Sequence, residues 1–259
     1  YSNSTNIYPV TNATFVNYCT FQNNGSYDLR NNKENSKVTN SSFKSKVYLV
    51  ENATVTNNSF YGSTLELKSV RSTSQTTISV QNNTFENSSP AVYLNQNGTR
   101  SCWDDYSVNG TIGAPNCNHQ TSITISNNLI KNGGIGIKTY TFYFDGGESG
   151  PLVTIDSNTI INNSSTAIAL GSECPTCGYG GYKVGNVLIS DNKLISNGSG
   201  ICACGSGNGY VTIDGNHIIG NGISSGDDQG NAISTTGSGV KTIRNNTVSG
   251  YTSNTSMPL

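Results

Sequence analysis

The residues of this chain that could perform chemistry are a few carboxylates and one histidine in its second half. Asp156 and Asp214 each follow an isoleucine in a short alternating segment. Because side chains of a strand alternate between two faces, both carboxylates are predicted to point outward. Paired carboxylates act as acid and base in glycoside hydrolysis. The candidate residues of a sugar-cleaving site are Asp156, Asp214, His217, Asp227, Asp228 and Arg244.

The expected distance between the carboxylates argues against this activity. If each repeat adds one strand, Asp156 and Asp214 lie two strands apart, which is about 10 Å. An inverting glycosidase needs about 6.5–9.5 Å between its two carboxyl groups. The structural alternative is an ion pair between Asp214 and Arg244 on adjacent repeats, with an Asp-rich turn at Asp227 and Asp228. We favour this alternative and predict no catalytic residue and no metal site.

The cysteines indicate disulfide chemistry. The chain has seven, and a Cys102–Cys117 bridge would close a loop around the only tryptophan. The segments "ECPTCG" and "ICACG" are one repeat apart, so their four cysteines are predicted to lie close together. The predicted disulfide cysteines are Cys102, Cys117, Cys174, Cys177, Cys202 and Cys204.

Two alternatives accompany this prediction. Four thiolates can bind zinc and CxxC is a ligand spacing, although CxC suits zinc less well and an exported chain favours disulfides. Cys19 is left over. It is predicted to be a small buried residue, and an intermolecular bridge is the other interpretation.

Asn-x-Ser/Thr sequons, the acceptor sequence for N-glycosylation, are unusually frequent. Fifteen occur, none with proline at the middle position, which predicts an exported, N-glycosylated protein. Their asparagines are Asn3, Asn12, Asn24, Asn40, Asn52, Asn57, Asn82, Asn87, Asn97, Asn109, Asn162, Asn163, Asn197, Asn245 and Asn254.

Composition excludes several classes of partner. Charged residues make up 11% of the 259 residues, the net charge is -1 and no basic run occurs, so neither nucleic acid nor an anionic membrane is an expected partner. No stretch approaches the roughly 18 apolar residues of a membrane span. The chain opens directly into "YSNST" without a signal peptide, which is expected of a mature, processed form.

A repeat organises the apolar residues. Its anchors are Phe21, Phe43, Phe60, Phe85, Ile130, Ile160, Leu194, Ile218 and Val248. Five residues before each anchor stands a β-branched aliphatic: Val16, Val38, Val55, Val80, Ile125, Ile155, Ile189, Ile213 and Ile243. Most anchors are separated by 22 to 34 residues, the length of one coil of a solenoid; one interval of 17 is short, and one of 45 implies an insertion.

Asparagine stands two residues before most anchors. Seven of the nine repeats have it, the exceptions being Cys19 and Ser41. Asparagine tolerates the left-handed backbone of a bend, and its amide can bond to the same amide one coil away. The predicted Asn ladder consists of Asn58, Asn83, Asn128, Asn158, Asn192, Asn216 and Asn246.

A second apolar alternation follows in each repeat, as in Leu65 and Leu67 or Val92 and Leu94. Two short strands joined by a turn are therefore predicted for every coil. The pattern predicts an all-β protein, a right-handed parallel β-helix of about nine rungs, as a single domain over residues 1–259. Short polar tails are expected at 1–13 and 251–259.

The segments "ISNNLIKNGGIGI", "IDSNTIINNSSTAIAL" and "ISDNKLISNGSGI" resemble the repeat of the pectate-lyase-like right-handed β-helix superfamily. The resemblance covers most of the chain and implies the scaffold alone, because that superfamily includes lyases, hydrolases, adhesins and structural proteins. "GDD" resembles the paired-Asp motif of its polygalacturonase-like hydrolases. Their Asn-Thr-Asp and Gly-His-Gly motifs are missing at usable spacing, and His217 precedes the Asp pair. Lyase-type members imply several calcium carboxylates and a basic residue on one face, whereas this face offers Asp156, Asp214 and Arg244 only.

Two insertions interrupt the repeat, at 95–120 and 138–151. The first holds Cys102, Trp103 and Cys117, and the second reads as a protruding hairpin or added strand. Aromatic residues in the insertions could stack on sugars, although packing against the solenoid or a neighbouring subunit is the favoured interpretation. These aromatic residues are Trp103, Tyr140, Phe142, Tyr143 and Phe144.

The repeat also places the sequons in two stripes. One stripe, with Asn40, Asn57, Asn82 and Asn245, falls three residues before the anchors. The other falls two or three residues after them and contains Asn24, Asn87, Asn162, Asn163 and Asn197. The first stripe is interrupted from the fifth to the eighth rung, which leaves a window without sequons.

These patterns predict a non-catalytic, secreted structural or cell-surface glycoprotein. Its expected partners are further copies of itself or other surface glycoproteins in a filament, surface layer or adhesive appendage, with glycans as a further possibility. We expect no cofactor beyond covalent N-glycans. The alternatives are a polysaccharide lyase or glycoside hydrolase acting at the window, and a glycan-binding adhesin. The single methionine and the dense sequons point to a harsh exterior such as that of a thermophilic archaeon.

Overall fold

The structure is a computed structural model of the 259-residue chain. It describes residues 10–11, 13–21, 27–30, 35–50, 52–68, 76–95, 121–140, 152–170, 186–204, 210–220, 231–236 and 240–251. These residues form three parallel β-sheets of nine, nine and eight strands. Successive strands of each sheet come from successive repeats, so the predicted parallel β-helix of about nine coils is confirmed.

Each complete coil passes through the three sheets in the order B, C, A. Sheet B consists of β2 (Phe15–Asn17), β4 (Lys37–Thr39), β7 (Thr54–Thr56), β10 (Thr76–Gln81), β13 (Thr121–Ser126), β16 (Leu152–Asp156), β19 (Val187–Ser190), β22 (Tyr210–Asp214) and β25 (Val240–Arg244). Sheet C consists of β5 (Ser42–Phe43), β8 (Ser59–Tyr61), β11 (Thr84–Glu86), β14 (Leu129–Lys131), β17 (Thr159–Ile161), β20 (Lys193–Ile195), β23 (His217–Ile219) and β26 (Thr247–Ser249). Sheet A consists of β1 (Val10–Thr11), β3 (Tyr27–Arg30), β6 (Lys46–Val50), β9 (Leu65–Lys68), β12 (Val92–Asn95), β15 (Ile137–Tyr140), β18 (Thr166–Leu170), β21 (Ser199–Cys204) and β24 (Ile233–Thr236).

The two apolar columns of the repeat form the interior of the solenoid. The aliphatic column lies in sheet B, where Val55 pairs with Val80 and Val80 with Ile125. The anchors from Phe43 to Val248 lie in sheet C, and those from Phe43 to Ile218 are buried. Three phenylalanine pairs stack between Phe21 and Phe85, with ring centroids 4.9, 5.1 and 4.4 Å apart. In-register stacking of like side chains thus fills the core along the axis.

The number of strands per coil differs from the prediction. Each complete coil has three strands, because the aliphatic column and the anchors belong to different sheets separated by a sharp bend. The residue three before the anchor has a positive φ in every coil, between 50° and 68°. One such residue redirects the chain without a loop, so the sequence shows a single alternating segment where the structure has two strands.

Parts of the predicted tails and insertions lie within the described residues. Val10–Thr11 pairs with Leu29–Arg30 in sheet A, and Tyr251 packs against the core. Residue 95 and residues 138–140 belong to strands, while 96–120 and 141–151 lie outside the described residues. No helix long and apolar enough to cross a membrane occurs in the part of the chain that the structure describes.

Candidate functional site: the bend between sheets B and C

The predicted asparagines meet in a continuous hydrogen-bonded ladder at this bend. Asn128 is typical: its side-chain Nδ2 donates to the carbonyls of Val80 and Ser126 at 2.9 and 3.0 Å. Its Oδ1 accepts the backbone N–H of Asn83 at 2.9 Å, and its own N–H donates to Oδ1 of Asn158 at 3.0 Å. The same pattern repeats from Asn58 to Asn246. The ladder satisfies backbone groups that the bend removes from the sheets.

The left-handed backbone belongs to the residue before each ladder position, which corrects one part of the sequence prediction. Ladder residues such as Asn128 are buried and do not have a positive φ. The preceding residues do: Tyr18, Asn40, Asn57, Asn82, Asn127, Ser157, Asp191, Gly215 and Asn245. Adjacent asparagines therefore have separate roles, because one adopts the strained backbone and the other supplies the amide.

The sequon asparagines of the first stripe occupy these left-handed positions. Asn40, Asn57, Asn82 and Asn245 are exposed, and the serine or threonine of each sequon begins the next strand of sheet C. At the bend after sheet C, Asn87 and Asn162 are also exposed with positive φ. Asn52 is half-buried, and its Oδ1 accepts the N–H of Thr77 at 2.9 Å. Of the sequon asparagines that the structure describes, six are therefore exposed to solvent.

Two other sequon asparagines are structural. Asn163 and Asn197 are 1% and 0% exposed. Oδ1 of Asn197 accepts the N–H of Asn163 at 3.0 Å, and Oδ1 of Asn163 accepts that of Gly133 at 2.7 Å. They form a second, shorter ladder on the side of sheet C opposite the first. A glycan on either amide would have to occupy the packed interior. The remaining six predicted acceptors, Asn3, Asn12, Asn24, Asn97, Asn109 and Asn254, lie outside the described residues.

The candidate carboxylates lie in one row of sheet B, as predicted. Asp156 pairs with Ser190, and Ser190 with Asp214, so the two aspartates are two strands apart. Oδ1 of Asp156 accepts the hydroxyl of Ser190 at 2.6 Å, and its Oδ2 accepts that of Ser157 at 2.9 Å. The two oxygens of this carboxylate thus bond the bend residue Ser157 and the strand residue Ser190 of the next coil.

Asp214 forms the predicted ion pair with the next coil. Its Oδ2 accepts Nε of Arg244 at 2.9 Å, and Nη2 of the same arginine lies at 2.9 Å. Its Oδ1 accepts Nδ2 of Asn245, also at 2.9 Å. These hydrogen bonds, that of Asn245 first, lower the pKa of Asp214 below its ordinary value. The carboxylate is held charged, which suits a cross-link better than a general acid.

The other candidates do not join the two aspartates in a described site. His217 is exposed on the outer face of sheet C, where its neighbours are Lys193 and Thr247. Asp227 and Asp228 lie outside the described residues. Among the residues that are described, no three histidine, cysteine, aspartate or glutamate side chains form a group that could hold a metal ion.

The cysteine predictions have mixed outcomes. Cys19 is a free thiol and exposed, where a buried position was predicted. It opens the ladder column on the first coil, and its N–H donates to Oγ of Ser41 at 3.1 Å. Cys202 is buried and pairs with Ala169 on the adjacent strand. Cys102, Cys117, Cys174 and Cys177 lie outside the described residues, so the disulfide pairings stay predictions. The aromatic residues Trp103, Phe142, Tyr143 and Phe144 also lie outside the described residues, so their packing stays a prediction.

A row on the outer face of sheet A was not anticipated. Arg30, Tyr48, Glu66, Tyr93 and Lys138 occupy successive strands in register; we call them the sheet A strip. The sequence contained a signal for this row, because Tyr48, Glu66, Tyr93 and Lys138 each follow directly after an inward-facing apolar residue of the second alternation.

Tyr27 and Lys46 lie beside the strip and contact it. The guanidinium carbon of Arg30 lies 5.7 and 5.9 Å from the ring centroids of Tyr27 and Tyr48. Nζ of Lys46 lies 5.5 Å from the Tyr27 ring and 3.0 Å from Oε2 of Glu66. Burial and the negative charge of Glu66 raise the pKa of Tyr48, so its phenol remains protonated.

Comparison with known proteins adds no assignment: no protein-family model, curated protein or solved structure matches this chain. Its fold and surfaces are therefore the basis of the functional proposal.

Proposed function

We propose that this chain is a non-catalytic, secreted and N-glycosylated structural protein, a subunit of an extracellular assembly such as a filament, surface layer or adhesive appendage. The observation that carries the proposal is the line of exposed left-handed asparagines at the first bend. Asn40, Asn57 and Asn82 stand on consecutive coils, and each opens a sequon. A stiff rod with regularly spaced acceptors suits a structural component that displays sugars on its surface.

The engagement of the carboxylates supports a non-catalytic role. Asp156 cross-links Ser157 and Ser190, while Asp214 is paired with Arg244 and Asn245. A catalytic acid or base must exchange protons with a substrate, whereas these groups are occupied in connecting coils. An oxidising exterior also agrees with the proposed disulfides among Cys102, Cys117, Cys174, Cys177, Cys202 and Cys204.

Mass spectrometry of glycopeptides from the native protein tests the modification. We expect glycans at the exposed Asn40, Asn57 and Asn82 and none at the buried Asn163 and Asn197. The buried sequons are an internal control, because they have the same acceptor sequence in the same chain. Unmodified asparagines at all exposed sites would refute the glycoprotein proposal.

Electron microscopy of native material tests the assembly separately. Regular polymers or sheets containing this chain are the expected result. A strictly monomeric, freely diffusing protein would contradict the assembly role while leaving the glycosylation result unaffected.

A sugar-cleaving enzyme is the second candidate, favoured by the location of Asp156 and Asp214 in a window without sequons. Turnover of polyuronates or neutral polysaccharides that is lost in Asp156→Asn and in Asp214→Asn would establish it. Asp191→Asn is the matched control, because Asp191 is exposed at the neighbouring bend and its loss changes the charge equally. Equal activity in all three variants would argue against this site.

A further inference from the structure

Tyr18 is an unusual residue for its place in the fold. It holds the left-handed position of the first coil, with a φ of 51°, and it is 80% exposed. On the other coils this position is held by asparagine, serine, aspartate or glycine, and a bulky side chain is strained there. Neither packing nor backbone geometry therefore explains a tyrosine at this bend. Strained residues that have no packing role are typical of binding sites.

The next residue in the left-handed column is the sequon asparagine Asn40. Asn17 pairs with Thr39 on the next coil. Tyr18 and Asn40 directly follow these two residues, so their Cα atoms lie about 4.8 Å apart, the spacing of adjacent parallel strands. Nδ2 of Asn40 donates to Oδ1 of Asn17 at 3.0 Å. The amide that would carry a sugar is therefore bonded to the coil on which Tyr18 stands.

A glycan on Asn40 is compatible with this orientation of the amide. A substituted asparagine amide keeps one N–H, which is sufficient for the bond to Asn17. Oδ1 of Asn17 also accepts the hydroxyl of Thr39 at 2.9 Å, and this second bond fixes the acceptor. The first sugar is then attached beside the exposed ring of Tyr18. A pyranose has an apolar C–H face, which suits the face of an aromatic ring.

We propose that the ring of Tyr18 binds the first sugar of a glycan on Asn40, with Asn17 as the residue that positions the amide. The ligand is a pyranose joined through its anomeric carbon to the asparagine nitrogen. The contact holds this glycan against the first coil. The inference rests on the proposed glycosylation of the chain and deepens it, because it assigns a protein surface to one particular glycan.

Asn245 provides a matched comparison within the same chain. Its Nδ2 donates to Oδ1 of Asp214 at 2.9 Å, so its amide is bonded to the preceding coil in the same way as that of Asn40. In the place of Tyr18 this bend has Gly215, which has no side chain. A glycan on Asn245 therefore starts in an equivalent direction without a ring to contact.

Nuclear magnetic resonance of the full-length chain, produced in a host that glycosylates it and labels its sugars with carbon-13, tests the contact. The ring current of Tyr18 should shift protons of the first sugar on Asn40 upfield. Tyr18→Phe should retain this shift and Tyr18→Gly should abolish it, while the signals of a sugar on Asn245 stay unchanged in both variants. Tyr210→Ala removes another exposed tyrosine, far from Asn40, and should have no effect on the shift.

Melting temperatures give an independent readout. Ser42→Ala removes the acceptor sequence while Asn40 is kept, and Ser42→Thr preserves the sequence. Ser42→Ala should lower the melting temperature by about 2 °C more in the parent chain than in Tyr18→Gly, because only the parent loses a ring contact. Without the glycan, Tyr18→Gly should be close to neutral, since glycine relieves the left-handed strain. Circular dichroism of each variant verifies folding.

The outcomes separate this inference from the proposed function. Glycans at Asn57 and Asn82 but none at Asn40 would overturn the inference and leave the glycoprotein proposal intact. A glycan on Asn40 whose proton shifts are the same in the parent and in Tyr18→Gly, or are changed equally by Tyr210→Ala, would also overturn it. Loss of the shift and of the melting increment in Tyr18→Gly, with both retained in Tyr18→Phe, would support it.

Discussion

Adjacent asparagines at one bend are expected to differ in how much stability they lose on substitution by alanine and in whether glycine is tolerated. Asn127 is exposed with a φ of 55°, and no sequon begins there, so a glycan does not complicate its mutation. Alanine tolerates the left-handed region less well than asparagine, whose short polar side chain bonds locally there, so Asn127→Ala should cost up to about 1 kcal/mol. Asn127→Gly removes that strain and should be close to neutral.

Substitution of Asn128 should lower the free energy of unfolding more than substitution of Asn127, and glycine should be no better tolerated than alanine at this position. Its truncation leaves the N–H of Asn83 and the carbonyls of Val80 and Ser126 without the ladder partner. An unsatisfied buried group costs about 1–3 kcal/mol, and a carbonyl costs less when its second lone pair is used. We expect a loss of about 3–5 kcal/mol for Asn128→Ala and a loss at least as large for Asn128→Gly, because glycine lowers the conformational stability further.

Guanidinium denaturation followed by far-ultraviolet circular dichroism measures all four variants. The decisive quantity is the difference in unfolding free energy between the alanine and glycine variants at each position. Recovery of Asn128 by glycine, or an equal loss for Asn127→Ala and Asn128→Ala, would refute the separation of roles. Asn246→Ala is a useful comparison. Asn246 is the last ladder residue and only half-buried, so water can replace the lost hydrogen bonds, and the substitution should cost only about 1 kcal/mol.

Three further predictions concern the packing of the core and two titrating carboxylates. Phe60→Ala should lower the free energy of unfolding by about 3–5 kcal/mol through loss of stacking and a cavity, whereas Tyr61→Ala on the exposed face should cost less than about 0.5 kcal/mol in the same denaturation assay. Gly200→Ala should lower the melting temperature by several °C, because the new Cβ would clash with the carbonyl oxygen of Ala232 on the next coil; an unchanged melting temperature would contradict this packing. Burial raises the pKa of Asp28, so the contribution of Asp28 to stability falls as pH rises from about 3.9, the ordinary pKa of an aspartate, through its pKa in the folded protein. The pKa of Asp214 is lowered, so the contribution of Asp214 is lost as pH falls. Subtracting the pH–stability curves of Asp28→Asn and Asp214→Asn from that of the unmodified chain should give slopes of opposite sign, and slopes of the same sign would exclude this assignment.

The fold was predictable from sequence because every coil obeys the same local rule. An aliphatic residue, an amide two residues before the anchor and the anchor itself recur at fixed offsets, so the column of Val55, Val80 and Ile125 could be aligned without structural knowledge. Stacking converts each offset into spatial adjacency. The Asp214–Arg244 pair followed from the same alignment, since both residues occupy one offset on successive coils.

Other features depended on information that the offsets do not contain. The third strand was missed because a bend made by one left-handed residue leaves no loop in the sequence. Burial of Asn163 was missed because Asn-x-Ser has the same letters whether its amide faces solvent or the interior. Cys19 was expected inside because its column is buried elsewhere, but it stands on the first coil, where it is exposed.

The sequons of the first bend have an evolutionary consequence. At this bend the fold needs a left-handed residue, then a ladder amide, then an outward-facing strand residue. Asparagine, asparagine and serine or threonine meet these three needs in turn, as at Asn57–Ser59, and together they spell a sequon. Duplication of such a coil would therefore copy an acceptor sequence automatically. Ser157, Asp191 and Gly215 show that other residues occupy the left-handed position in intact coils. A lineage could thus add or erase acceptor sequences one coil at a time, by single substitutions, without changing the fold.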